Sequence, residues 1–131
     1  MGSKCSMVVA DDNRDAADTL VDILQAMGYE AVAAYGGLEA VAACVAGCPE
    51  LAILDVEMPV LDGCKAAGLI RSGACPPRAI AALSGVRFWE EPMKSGGDVF
   101  DVRLAKPARM DELVELLRNV LGAPPDAGPR G

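Results

Sequence analysis

The chain contains no histidine among its 131 residues. That removes imidazole as a general base, as a metal ligand and as a carrier of phosphate within the chain. Aromatic side chains are scarce, with one Trp, two Tyr and two Phe, so the core must be filled by Ala, Val, Leu, Ile and Met. No apolar run approaches the roughly 18–20 residues that span a bilayer, and there is no charged-then-apolar leader, so a soluble cytoplasmic protein is expected. No basic cluster offsets the net charge of −7, which argues against a nucleic-acid or anionic-membrane surface. The five cysteines, Cys5, Cys44, Cys48, Cys64 and Cys75, are odd in number and show no C-x-x-C spacing. A Cys/His zinc site is excluded. The expectation is reduced thiols used as small apolar side chains in a reducing compartment, with Cys44 and Cys48 able to share a helix face.

What is present is enough for one domain, with 52% of the residues apolar. Residues 5–10 form a short apolar run ending in Asp11-Asp12 and predict a strand. Ala17, Leu20, Ile23, Leu24 and Met27 recur at helical spacing, with Gly28 as the stop. Residues 30–34 predict a second strand and 37–46 a second helix, stopped at Gly47-Cys48-Pro49. Residues 51–54 run without a polar break into Asp55, as in a central parallel strand. A loop with Pro59 and Asp62-Gly63 leads to a helix over 64–70. Residues 79–83 predict a fourth strand ending at Ser84-Gly85, and 99–105 a fifth ending at Lys106-Pro107. Between them, Pro92 and Gly96-Gly97 leave room only for a short helix around 89–94. Leu113, Leu116, Leu117, Val120 and Leu121 form one stripe of a helix over 110–121, and residues 122–131 read as a flexible tail. Alternation of strand and helix predicts a single α/β domain over residues 4–121, a parallel sheet with helices on both faces.

In such sheets ligands bind outside the carboxyl ends of the strands. The polar residues that terminate the apolar runs, Asp11, Asp12, Asp55, Ser84 and Lys106, all fall there. Each alone has an ordinary reading: an Asp pair after a strand is turn or cap chemistry, and a single Ser or Lys carries little. Together they place three carboxylates, a hydroxyl and an ammonium at one edge. Crowded carboxylates call for a cation, and Mg2+ takes oxygen ligands beside phosphate groups. Asp55 as a carboxylate is able to attack phosphorus and form an acyl phosphate. Lys106 offers a compact positive charge and Ser84 one hydrogen bond to the same group.

The segment Ile53-Leu54-Asp55-Val56-Glu57-Met58-Pro59-Val60-Leu61-Asp62-Gly63, with Asp11-Asp12, Ser84 and Lys106-Pro107 in order and spacing, resembles the response-regulator receiver domain, the phosphoacceptor module of two-component signalling. The resemblance implies a flavodoxin-like (βα)5 fold with strand order 2-1-3-4-5. It implies Asp55 as the phosphorylated aspartate, and Asp11, Asp12, Asp55 and the backbone carbonyl of Glu57 as Mg2+ ligands. Ser84 becomes the hydroxyl that turns toward the phosphoryl group, Lys106 the phosphate-pairing lysine, and the Lys106-Pro107 bond is cis. The implied donor is a histidine kinase or histidine phosphotransfer protein, and output passes to a protein partner or an attached domain rather than to nucleic acid or membrane. Chemotaxis-type receivers carry Tyr or Phe where this chain has Arg103; residues 100–107 look more like receivers of hybrid histidine kinases. Phe88 and Trp89 lie in the least regular stretch, 86–97, next to the surface that receivers use for partners.

The reading is a switch that turns over no external substrate. Two rivals are an interaction module that is never phosphorylated, and a hydrolase working through an aspartyl phosphate. The hydrolase requires a second Asp two residues after the nucleophile, where this chain has Glu57.

Overall fold

The computed structural model of the protein describes residues 6–58, 60–84, 100–106 and 109–122. Its elements are β1 (Ser6–Ala10), α1 (Arg14–Ala26), β2 (Glu30–Ala34), α2 (Gly37–Gly47), β3 (Leu51–Asp55), α3 (Gly63–Arg71), β4 (Ala79–Ser84), β5 (Val102–Ala105) and α4 (Met110–Leu121). All neighbouring strands pair in parallel, in the order β2-β1-β3-β4-β5. The chain steps outward from β1 to β2, then returns across β1 to β3 and proceeds the other way. The reversal leaves a crevice between the carboxyl ends of β1 and β3.

Burial explains the sequence patterns. β3 and β4 are buried along their whole lengths, as central strands covered on both faces must be. The edge strands β2 and β5 mix buried and exposed positions. One face of the sheet is packed by larger side chains, with Met7, Val9, Ile53 and Leu83 against Leu24 of α1 and Leu113, Leu116 and Leu117 of α4. The other face is rich in alanine: Ala10, Ala34, Ala52 and Ala82 of the strands meet Ala40 of α2 and Ala66 and Ala67 of α3. Truncating one of the large buried aliphatics to Ala costs about 2–5 kcal/mol.

β5 starts at Val102 rather than 99, because Asp101 is spent on β4. Its backbone N–H donates to the Ile80 carbonyl (2.8 Å), and its carboxylate accepts from the Ile80 N–H (2.9 Å) and from Arg71 (2.8 Å). The expected helix around 89–94, Phe88, Trp89, Pro107 and the cis bond expected before it, and the tail beyond Gly122 lie outside the described residues.

The expectation for the cysteines is corrected. Cys48 and Cys75 are joined as a disulfide with Cα atoms 5.5 Å apart. They are 27 positions apart in sequence, and only the topology brings the α2–β3 and α3–β4 connections together. Cys44 does match the small-apolar reading: it is buried in α2, and burial pushes its thiol up to about 11.

Gly63 shows how α3 is seated behind β3. Asp62 caps the helix by accepting from the Lys65 N–H (2.8 Å), and the Gly63 N–H donates to the Val56 carbonyl (3.0 Å). A methyl at Gly63 would collide with the Asp55 carbonyl oxygen and come within 2.7 Å of the Val56 Cα. Gly63→Ala should therefore destabilise the domain by about 1–3 kcal/mol in urea unfolding. Gly68→Ala, on open space in the same helix, should stabilise it by about 0.5–1 kcal/mol. Equal effects of the two substitutions would refute this account of the glycine.

Candidate functional site

The crevice between β1 and β3 is lined by backbone first. Beyond the end of β1, the Asp11 N–H still donates to the Ala34 carbonyl (3.0 Å), which extends the ladder and fixes where its side chain leaves. The carboxylate then accepts from the Asn13 N–H (2.9 Å), folding the chain back, and Asn13 caps α1 by accepting from the Ala16 N–H (3.1 Å). The cap role thus falls to Asn13, and both preceding acids are left for the crevice. Asp55 ends β3, where the Val56 N–H donates to Leu83 (2.9 Å) and the Glu57 N–H donates to one Asp55 carboxylate oxygen (3.0 Å).

Asp11, Asp12 and Asp55 each bring a carboxylate oxygen within 4.8 Å of the others. Asp12 is exposed, whereas Asp11 and Asp55 are buried. From the end of β5, Lys106 reaches in. Its Nζ lies 2.9 Å from Asp55 Oδ2 and 3.4 Å from Asp11 Oδ2. The Lys106 backbone N–H donates to the Ser84 carbonyl (2.9 Å), which ties the ends of β4 and β5 together. Ser84 is fully buried, one residue beyond Leu83, the register partner of Asp55. All five terminating residues named from the sequence therefore stand on one rim. Glu57 is exposed, and Arg103 is an exposed position of β5 paired in register with Ala82.

The electrostatics are those of an acid held in a poor solvent. Burial raises the Asp55 carboxyl to about 6, and the Asp11 charge adds to this against the opposing pull of Lys106 and the Glu57 N–H. Burial works against the Lys106 ammonium, but its hydrogen bond to Asp55 and the charges of Asp55 and Asp11 outweigh that and raise its pKa. The donor set is oxygen only, with one amine standing among three acids. That chemistry suits a hard divalent cation such as Mg2+.

Two features around the crevice carry no short-range sequence signal. Arg14, the first residue of α1, stacks 4.3 Å over the Tyr35 ring, whose hydroxyl donates to Asp18 (2.6 Å). This clasp fastens the start of α1 to the turn after β2, next to the acid pair. Val60, on the loop above Asp55, is left-handed (φ 70°) and 92% exposed. A β-branched residue there is strained. A cleft of about 670 Å3 also runs from Asp11 and Lys106 along Ala16, Leu20 and Ile23 of α1.

The Asp55 environment gives a signed prediction. Its folded pKa lies above the unfolded value, so ionising it costs stability as pH rises from about 4 through about 6, and the full cost is present above that. In chelator at pH 8, Asp55→Asn should unfold about 1–3 kcal/mol later than the parent chain. The advantage should shrink toward zero as pH falls below about 4. A pH-independent difference in parallel urea titrations would contradict the assignment.

Comparison with known proteins places these features among relatives. The family described as response regulator receiver domain matches residues 7–118. The transcriptional regulatory protein PrrA of Mycobacterium tuberculosis is 30% identical over 117 residues, 88% of this chain and 49% of that protein. The sensor histidine kinase AtsR of Burkholderia thailandensis is 34% identical over 109 residues, 81% of this chain and 18% of the kinase. The chain thus spans about half the length of the mycobacterial regulator. Among solved structures, the response regulator TrrA of Thermotoga maritima, in complex with Mg2+ and BeF, has 31% identity and a TM-score of 0.77, covering 88% of this chain and 98% of its own. The receiver domain of a Pseudomonas aeruginosa sensor histidine kinase, with magnesium coordinated in its active-site cleft, has 25% identity and a TM-score of 0.78, covering 92% and 100%.

Proposed function

Because the chain belongs to the response-regulator receiver domain family, we propose that Asp55 is the phosphoacceptor of a two-component relay and that Asp11, Asp12, Asp55 and the Glu57 carbonyl hold Mg2+. The observation that carries this is an ionisable carboxylate, 2% exposed, with an amine 2.9 Å away and two further acids in reach. A structural ion pair would need neither of the additional acids. The magnesium-bound relatives TrrA and the Pseudomonas receiver support the metal assignment. When bound, the metal screens repulsion between Asp55 and an anionic donor and stabilises charge on the transferring group.

The chain's own residues do the rest. Asp55 attacks phosphorus; its O–P bond forms as the N–P bond of a phosphohistidine breaks, and the imidazole leaves with its electron pair. No histidine exists in these 131 residues, so the donor imidazole comes from a histidine kinase or histidine phosphotransfer protein. The apolar cleft along α1, continuous with Asp11 and Lys106, is where that donor docks. Lys106 follows the charge from the Asp55 carboxylate to the phosphoryl oxygens, and the Ser84 hydroxyl donates to one of them. That movement draws on the end of β4 and in this way biases the domain's output. The domain acts in the cytoplasm, turns over no external substrate, and passes its state to a protein partner or an attached domain.

Incubation with acetyl phosphate and Mg2+ followed by intact mass measurement tests this. The expected product is a single base-labile phosphoryl adduct, absent in Asp55→Asn and after chelation. Lys106→Ala should slow its formation by on the order of tenfold or more. Bound Mg2+ without any adduct would favour a non-phosphorylated interaction module. Steady phosphate release from organic monoesters would favour a hydrolase.

A further inference from the structure

The rim opposite the acidic crevice carries a second piece of chemistry. Cys48 closes α2 and Cys75 lies in the α3–β4 connection, so the disulfide joins the amino ends of β3 and β4. Those are the two strands whose carboxyl ends present Asp55 and Ser84. With five residues in β3, the two rims are about 16 Å apart. We propose that Cys48 and Cys75 form a reversible thiol–disulfide site, a covalent redox input to the domain separate from the acidic crevice.

Three observations support reversibility. First, Cys48 is exposed and Cys75 half-buried, so small thiols and disulfides reach the pair. Second, both redox forms are accommodated by the same place in the fold. Cys75 Sγ lies 3.6 Å from the Cys44 carbonyl oxygen, and Cys48 Sγ lies 4.0 Å from that of Val45. Both are last-turn carbonyls of α2; that of Cys44 already accepts from the Cys48 N–H (2.9 Å) and has a second lone pair, and reduced S–H groups are able to donate to either. Third, Cys48 is the C-cap of α2 in the left-handed conformation, at φ 45°. Glycine is the ordinary residue there, and a side chain is retained at a backbone cost. A strained position kept with a reactive side chain points to a use for that side chain.

The exchange balances with a small disulfide such as oxidised glutathione. The Cys48 thiolate attacks one sulfur of the oxidant and expels a thiolate, leaving a mixed disulfide. The Cys75 thiolate then attacks the Cys48 sulfur and expels the second. Two protein thiols lose two electrons and two protons, and the oxidant becomes two thiols. Excess thiol reverses both steps. Where disulfides occur in a reducing cytosol, they are usually transient or sensing ones, which fits a pair that opens and closes.

The test equilibrates the full chain in glutathione buffers from reducing to oxidising, quenches it, maps thiols by peptide mass and measures thermal unfolding. Cys48 and Cys75 should convert together between thiol and disulfide. The closed form should melt about 5–15 °C higher, as expected for cross-linking a loop of this length. Cys48→Gly removes the thiol and relieves the backbone. It should melt at or above reduced wild type, below oxidised wild type, and show no shift with buffer. Phosphoryl uptake from acetyl phosphate should be unchanged between the two redox forms at 25 °C, so the outcome is independent of the phosphoacceptor reading. A pair that stays closed in excess reduced glutathione, one that yields only mixed disulfides, or a Cys48→Gly chain as stable as oxidised wild type would each overturn the proposal.

Discussion

One amine set among three carboxylates is the constraint on which the domain is organised. Asp11 and Asp55 are buried, and burying a carboxylate is costly unless it is paired and hydrogen-bonded. Lys106 supplies the pairing charge from β5, across the whole half-sheet from β1. The arrangement is possible only because every strand is parallel, so that residues 11, 55, 84 and 106 all emerge on the same rim. The backbone completes it. The Asn13 and Glu57 N–H groups each take one carboxylate oxygen and leave the other turned to Lys106. An acid whose burial opposes its charge is the kind of group that gains from receiving a metal or a phosphoryl group, and the fold holds it ready at some expense in stability.

The two layers around the sheet contribute differently. On the α1 and α4 face, leucine, valine and methionine fill space and dominate the hydrophobic stabilisation. On the α2 and α3 face, alanines let the helices lie close, and the tight approach at Gly63 seats α3 directly behind Asp55. The strand that carries Asp55 is thus held from behind while its front opens onto the crevice.

Much of this was legible in the sequence. The runs at 51–54 and 79–83 announce central strands because burial on both faces removes any polar alternation, and the residues that end them are polar for a reason other than solubility. Asp11, Asp12, Asp55, Ser84 and Lys106 were readable as a set because a parallel sheet converts order along the chain into proximity on one rim. Other features were not. The Cys48–Cys75 bond depends on two connections meeting at the amino rim, and a separation of 27 residues leaves no pattern. The Arg14–Tyr35–Asp18 clasp likewise joins two elements whose contact is decided by the seating of α1 on β2. Asp101 reads as one residue of the fifth strand until its carboxylate is seen holding Ile80 and Arg71.

The disulfide also closes a covalent ring. Everything between Cys48 and Cys75, including β3, the Val60 loop and α3, lies inside it. A protease nick at the protruding Val60 would then sever the backbone without releasing either piece, because the sulfurs still tether β3 to the helix behind it. In the oxidised state a break in this exposed loop therefore leaves the two pieces covalently joined.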